Sequence, residues 1–225
     1  MEIYEILWSE AAVAFTRGKL LLDPHLPDKT HDARRGVTIV LRPPLAIRER
    51  IQGFLTKLAV ICPGQYFYPP ETFHITVLSI ISGTERWREQ MPQLAACRKI
   101  IKEVLVQQPG FKINFRGITA SPGCVMIQGF PTDNHLEQFR NQLRKALSQN
   151  GFGAQLDRRY KIVSAHITAM RFCNKQIDSQ KLLAFLTEHR AHDFGQMTAH
   201  ELELIFSDWY AAADATSKLE TYSLT

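Results

Sequence analysis

The tripeptide His-Ile-Thr occurs twice in this chain, in "ETFHITVLSI" (71–80) and in "SAHITAMRF" (164–172). Chance placement at this composition would give it on the order of 0.04 times. The two copies sit in matching surroundings. A Gly-led apolar stretch, "GVTIVL" (36–41), is followed by Pro44, an amphipathic segment and His74. A second, "GCVMIQGF" (123–130), is followed by Pro131, another amphipathic segment and His166. Tyr68 and Tyr160 each stand six positions before their histidine. A strand–helix–strand unit duplicated in this way confines the fold to two related lobes. Its period is too long, and its copies too few, for a solenoid. Two such lobes bring equivalent positions together near a pseudo-twofold axis, and a cleft between lobes is a favoured ligand site.

The remaining segments fill in this pattern. Ile47, Ile51, Phe54, Leu55 and Leu58 recur at helical spacing, the stripe of a helix packed on a sheet. The stretch 84–107 reads as a helix interrupted at Pro92. "FKINFRGITA" (111–120) alternates apolar and polar residues, as a half-exposed strand does. Asp133 is placed to cap a helix that turns Leu136, Phe139, Leu143, Ala146 and Leu147 inward and closes near Gly151. A helix over 178–190, a strand at 200–210 and a last strand complete the chain. These elements predict an α+β fold, with two mainly antiparallel sheets facing a central cleft and helices outside. At 225 residues and 45% hydrophobic content the chain reads as one bilobal domain, 1–225. Residues 1–35 form an N-terminal extension with a short helix, about 36–110 the first lobe, and about 111–225 the second.

The net charge of +5 suits an anionic ligand but lacks the density of a dedicated nucleic-acid binder. Cys62, Cys97, Cys124 and Cys173 are widely spaced, without C-x-x-C, which excludes a zinc knuckle or a dithiol redox motif and fits a reduced compartment. "MEIYEILWSE" has no basic n-region, and no apolar run approaches the ~20 residues of a membrane span. A cytoplasmic monomer without a membrane partner is expected.

Alternate side chains of a strand share a face. His74 and Thr76 therefore point one way and Ile75 and Val77 the other, and His166 and Thr168 repeat the arrangement. A lone strand histidine is usually a hydrogen-bonded core residue. A duplicated His/Thr face is a poor packing choice, because burying these groups without partners costs free energy. Two imidazoles across a cleft can act as general base and general acid near neutral pH. Two threonine hydroxyls can hold non-bridging phosphate oxygens. That set suits cleavage of a phosphodiester: one histidine activates water or a ribose hydroxyl, and the other protonates the leaving oxygen. A histidine-based zinc site is the competing chemistry. It wants a third ligand, and neither strand has an acid on its His/Thr face. No metal or other cofactor is expected.

Arg158, Arg159 and Lys161 precede His166 and Arg171 follows it, either steering phosphate or forming a solvated strand edge. Lys161 and Arg171 are at odd spacing from His166, so they point away from the active face unless a bulge or strand end turns them in. Tyr160 and Tyr68 either contact the ligand, by stacking on a base or bonding phosphate, or only pack the cleft wall. Phe73, Phe172 and Trp209 read as core. The six other histidines read as surface or structural residues.

The paired H-x-T-x motifs, "HITV" at 74–77 and "HITA" at 166–169, within the repeated strands and helices from about 36 to 210, resemble the two-histidine (2H) phosphoesterase superfamily. It includes the RNA 2′,3′-cyclic phosphodiesterases often called 2′–5′ RNA ligases. The resemblance implies a bilobal fold with a central cleft, no metal, and His74, Thr76, His166 and Thr168 as the active set. It leaves open several activities: opening of cyclic phosphates on RNA ends, hydrolysis of small cyclic nucleotides, cleavage of 2′–5′ linkages, and nucleotide binding without turnover. The expected function is a metal-independent phosphoesterase acting on a 2′,3′-cyclic phosphate or related phosphodiester. Its substrate would be an RNA end or a small cyclic nucleotide, and RNA ligation would be the reverse of cleaving a 2′–5′ linkage with the ends held close. The alternatives are a non-catalytic nucleotide- or RNA-binding module using the same cleft, and a metal-dependent hydrolase.

Overall fold

The computed structural model describes every residue except 1, 107, 155 and 159. Helix α1 (Glu2–Thr16) buries Tyr4, Ala11 and Phe15 at helical spacing. Strand β1 (Arg35–Leu41) ends just before Pro43 and Pro44, which cannot donate to a ladder. Helix α2 (Leu45–Ile61) buries the five stripe residues Ile47, Ile51, Phe54, Leu55 and Leu58. Next come strand β2 (Tyr66–Phe67), a 3-10 turn over Pro70–Thr72, and strand β3 (Ile75–Thr84). The helix expected over 84–107 is shortened at Pro92, which lies in a 3-10 turn, to α3 (Leu94–Leu105). Strands β4 (Phe111–Ser121) and β5 (Cys124–Pro131) lead to helix α4 (His135–Gln149) and strand β6 (Ile167–Arg171). Helix α5 (Ser179–Glu188) and strands β7 (Asp193–Ala199), β8 (Glu201–Asp208) and β9 (Ser217–Ser223) complete the chain.

The strands lie in the order β7-β4-β5-β6-β3-β1-β8-β9, with β2 added beside β6, and the pairings are antiparallel. The two expected sheets, β7-β4-β5-β6 and β3-β1-β8-β9, meet edge to edge at one register point, Ile75 opposite Ile167. Continuing that antiparallel register one residue each way sets His74 opposite Thr168, and Thr76 opposite His166. The pseudo-twofold expected from the duplication therefore passes between the two isoleucines.

The halves are not consecutive stretches of chain. Strands β8 and β9, expected in the second lobe, pair onto β1 in the half that carries the first motif. They close an edge of β1 that would otherwise present unpaired backbone groups. The helices are exchanged as well. Helix α2 packs against β6, β7 and α5, while α4 packs against β3 and α3. Helix α1, read from sequence as an extension, packs on β4 and α5. No described helix is long and apolar enough to cross a membrane.

Candidate active site

The cleft has a volume of about 580 Å³ and is lined by all six expected site residues: His74, Thr76, His166, Thr168, Tyr68 and Tyr160. Each histidine sits one residue before its strand, at the joint between the two sheets. Phe73 and Phe172, on the other side, are in the core as expected.

The two imidazoles are anchored differently. His74 Nδ1 lies 2.8 Å from the Thr72 carbonyl oxygen, which can only accept, so Nδ1 carries the proton. In the neutral ring this leaves Nε2 as a bare acceptor. His166 Nδ1 instead meets the Ser164 hydroxyl at 2.7 Å, a partner that can donate or accept. Burial pushes His74 down to about 4, while the Thr72 carbonyl pulls the other way. Burial also pushes His166 down to about 4, and the charges of His74, Arg140 and Arg171 add to this, as those of Arg42 and Arg171 do at His74. Both rings are thus neutral in the unliganded cleft at pH 7. An anion placed between them would favour the protonated forms.

In the unfolded chain both histidines take up protons below their ordinary value of 6.5, whereas in the native protein they do so only near 4. Their stabilising contribution is complete above pH ~6.5 and is lost as pH falls from there toward 4. Histidine NMR titration is expected to show both rings neutral at pH 6, and inorganic phosphate is expected to move their midpoints upward. Two midpoints near 6.5 without phosphate would contradict this account.

Bulges decide what else faces the cleft. Along β6, Met126 pairs with Thr168 and Val125 with Met170, so Ala169 is the extra residue. The bulge shifts the strand's phase and brings Arg171 onto the Thr168 side, where it lines the cleft. Odd spacing alone had placed it on the far face. In β3, Val77 is the extra residue and brings Ser79 onto the Thr76 side. The two threonines thus have unlike neighbours three positions on, a serine on one side and an arginine on the other. Tyr68 is only 4% exposed, and its hydroxyl accepts a 2.8 Å hydrogen bond from Arg171 Nε. Tyr160 is 62% exposed at the cleft edge, with Lys161 beside it. Arg158 is exposed on the same loop, and Arg159 lies outside the described residues.

Trp209, read from sequence as core, is a correction. It is half-buried in the cleft wall, with the Arg34 guanidinium over its ring at 4.6 Å and Arg171 at 5.8 Å. Gly83 makes room for it, because a Cβ there would stand 2.7 Å from the ring.

Sequence reading missed Arg140. It lies on α4, is 2% exposed, and donates to the carbonyls of Val77 (2.9 Å), Thr76 (2.7 Å) and Ser164 (2.8 Å). One guanidinium thus clamps the backbone of both motifs from beneath. Burial lowers its pKa to about 10, which still leaves it charged at neutral pH. The available signal was an arginine at an inward position, between Leu136 and Leu143, of an otherwise apolar stripe.

Among the described residues no three His, Cys, Asp or Glu side chains converge on a point where they could hold a metal ion. Residues 43–214 match the model of the AKAP7 2'5' RNA ligase-like domain family. No curated protein matches the chain. Among solved structures, TT0787 of Thermus thermophilus is similar at a TM-score of 0.63 and 16% identity, over 84% of this chain and 97% of that one. E. coli LigT complexed with 3'-AMP is similar at a TM-score of 0.58 and 17% identity, over 85% and 99%. At these identities the likeness is one of fold.

Proposed function

On the premise that the chain belongs to the AKAP7 2'5' RNA ligase-like domain family, in the two-histidine phosphoesterase superfamily, we propose that it is a metal-independent phosphoesterase. Its substrate is a 2′,3′-cyclic phosphate, or a related phosphodiester, of an RNA end or a nucleotide. The observation that carries this reading is the register at the sheet joint, which sets each imidazole opposite the other motif's threonine across one cleft.

The anchoring of the rings supports an assignment of roles. His74, whose Nδ1–H is held by a carbonyl, offers Nε2 as the base that takes a proton from the attacking water. His166, whose Nδ1 meets a hydroxyl rather than a carbonyl, is assigned the acid and carries a proton on Nε2. It gives that proton to the ribose oxygen as the P–O bond breaks. The new bond joins the water oxygen to phosphorus, and the proton lost by His166 is matched by the one gained at His74. Thr76, Thr168 and Arg171 hold the non-bridging oxygens. Tyr68 holds Arg171. The 3'-AMP in the E. coli LigT structure is of the same ligand class.

The test is hydrolysis of a short RNA ending in a 2′,3′-cyclic phosphate, with EDTA present. Turnover is expected. Its absence on this RNA and on small cyclic nucleotides, with nucleoside monophosphates still bound, would favour the binding module instead. Alanine at Thr76 or Thr168 is expected to lower kcat by about 10–10³-fold, less than loss of a histidine. An unchanged kcat in either variant would remove that threonine from the set.

A further inference from the structure

We propose that α1 forms one wall of a nucleobase subsite continuous with the phosphate centre. The inference rests on reading the cleft as a nucleotide or RNA site. Helix α1 lies outside the family-matched segment 43–214. Even so, Ile3 and Leu7 line the cleft, one helical turn apart on the same side of α1. Tyr160 and Val163 line the same cleft from the loop before His166 and are 62% and 55% exposed. Large apolar side chains exposed around a cleft mark a binding surface.

The helix is held rigidly for this task. The Tyr4 hydroxyl donates to the Gly129 carbonyl (2.9 Å) and accepts from the amides of Gly129 and Ala165 (3.2 Å each). It thereby bridges β5 to the residue just before His166. A Cβ at Gly129 would stand 2.1 Å from the Ala165 carbonyl oxygen, so only glycine permits this approach. Glu5 and Trp8 engage Arg190 on the far side. These bonds fix Ile3 and Leu7 against the segment that carries Tyr160, Val163 and Ser164.

A flat, apolar-faced group belonging to an anionic ligand is what such walls would accept. A nucleobase fits, because its faces stack on aromatic and aliphatic side chains while its phosphate reaches the histidines and Lys161. Recognition by stacking has little base preference, so the subsite should accept purines and pyrimidines alike.

The experiment compares two substrates: a dinucleotide ending in a 2′,3′-cyclic phosphate, and the base-free glycerol 1,2-cyclic phosphate. The variants are Ile3→Ala with Leu7→Ala on α1, and Val163→Ser on the opposite wall, an exposed position that spares the fold. Each is expected to lower kcat/KM about tenfold more for the dinucleotide than for the glycerol ester. Equal losses on both substrates would mean that α1 acts only through packing, and no loss would mean that it has no role; either overturns the subsite. If the wild type turns over neither substrate, the hydrolysis reading fails, and binding decides the subsite separately. A fluorescein-labelled dinucleotide 3′-phosphate should then bind the variants about tenfold more weakly than the wild type, with glycerol phosphate competing no worse. Unchanged dinucleotide affinity overturns the subsite.

Discussion

Alanine in place of His74 or His166 is expected to lower kcat on a cyclic-phosphate RNA by about 10²–10⁴-fold each. The double variant should be little worse than either single one, because acid and base act as a unit. Both side chains open onto the cleft rather than filling the core, so far-UV circular dichroism should be unchanged. The role assignment can be read separately. A p-nitrophenyl phosphodiester has a leaving group that needs no proton. His166→Ala should recover most of its activity on that substrate, and His74→Ala should not. Recovery in His74→Ala alone would reverse the assignment. Full activity in either variant on the RNA substrate would sink the two-histidine mechanism.

Replacing Arg140 with methionine is expected to give the largest loss of stability. The substitution leaves the carbonyls of Thr76, Val77 and Ser164 without their donor. A buried acceptor left unsatisfied costs ~1–3 kcal/mol, partly offset here by removing a desolvated charge. A net loss of about 3 kcal/mol would lower Tm by roughly 6–12 °C at this chain length. Lysine should not restore it, because one ammonium cannot reproduce a planar fork aimed at three carbonyls. The kcat of whatever remains folded should also fall, since the clamp sets one motif against the other. An unchanged Tm, measured by calorimetry, would refute this role.

What the sequence made legible was whatever followed a regular period or formed an apolar run. The repeated tripeptide and the α2 stripe obey spacings of 2 and 3.6, and the Gly-led strands β1 and β5 are largely apolar runs. What it hid were the breaks in strand phase. The extra residues Val77 and Ala169 change strand phase without any side-chain signature, so Arg171 and Ser79 were assigned to the wrong face or overlooked. Trp209 has a core residue's composition, and only the neighbouring Gly83 and Arg34 set it in the cleft wall. Pairing between distant segments was hidden for another reason. Nothing local in "ELELIFSD" specifies that its partner is β1, some 165 residues earlier in the chain.

That distant pairing also governs when the site can exist. During synthesis both motifs leave the ribosome before β8 does, yet β1 has no partner on its outer edge until β8 arrives. Domains usually fold as units from the N-terminal side. Here the first half must wait for strands made some 165 residues after β1, and its contacts carry the long loop-closure cost that slows folding. A nascent chain stalled near residue 200 would hold His74, Thr76, His166 and Thr168 beside an open sheet edge, prone to pairing with other chains. Exchange of strands β8 and β9 between two copies of the chain would meet the same need, so strand-swapped dimers are the misassembly to look for on refolding at high concentration.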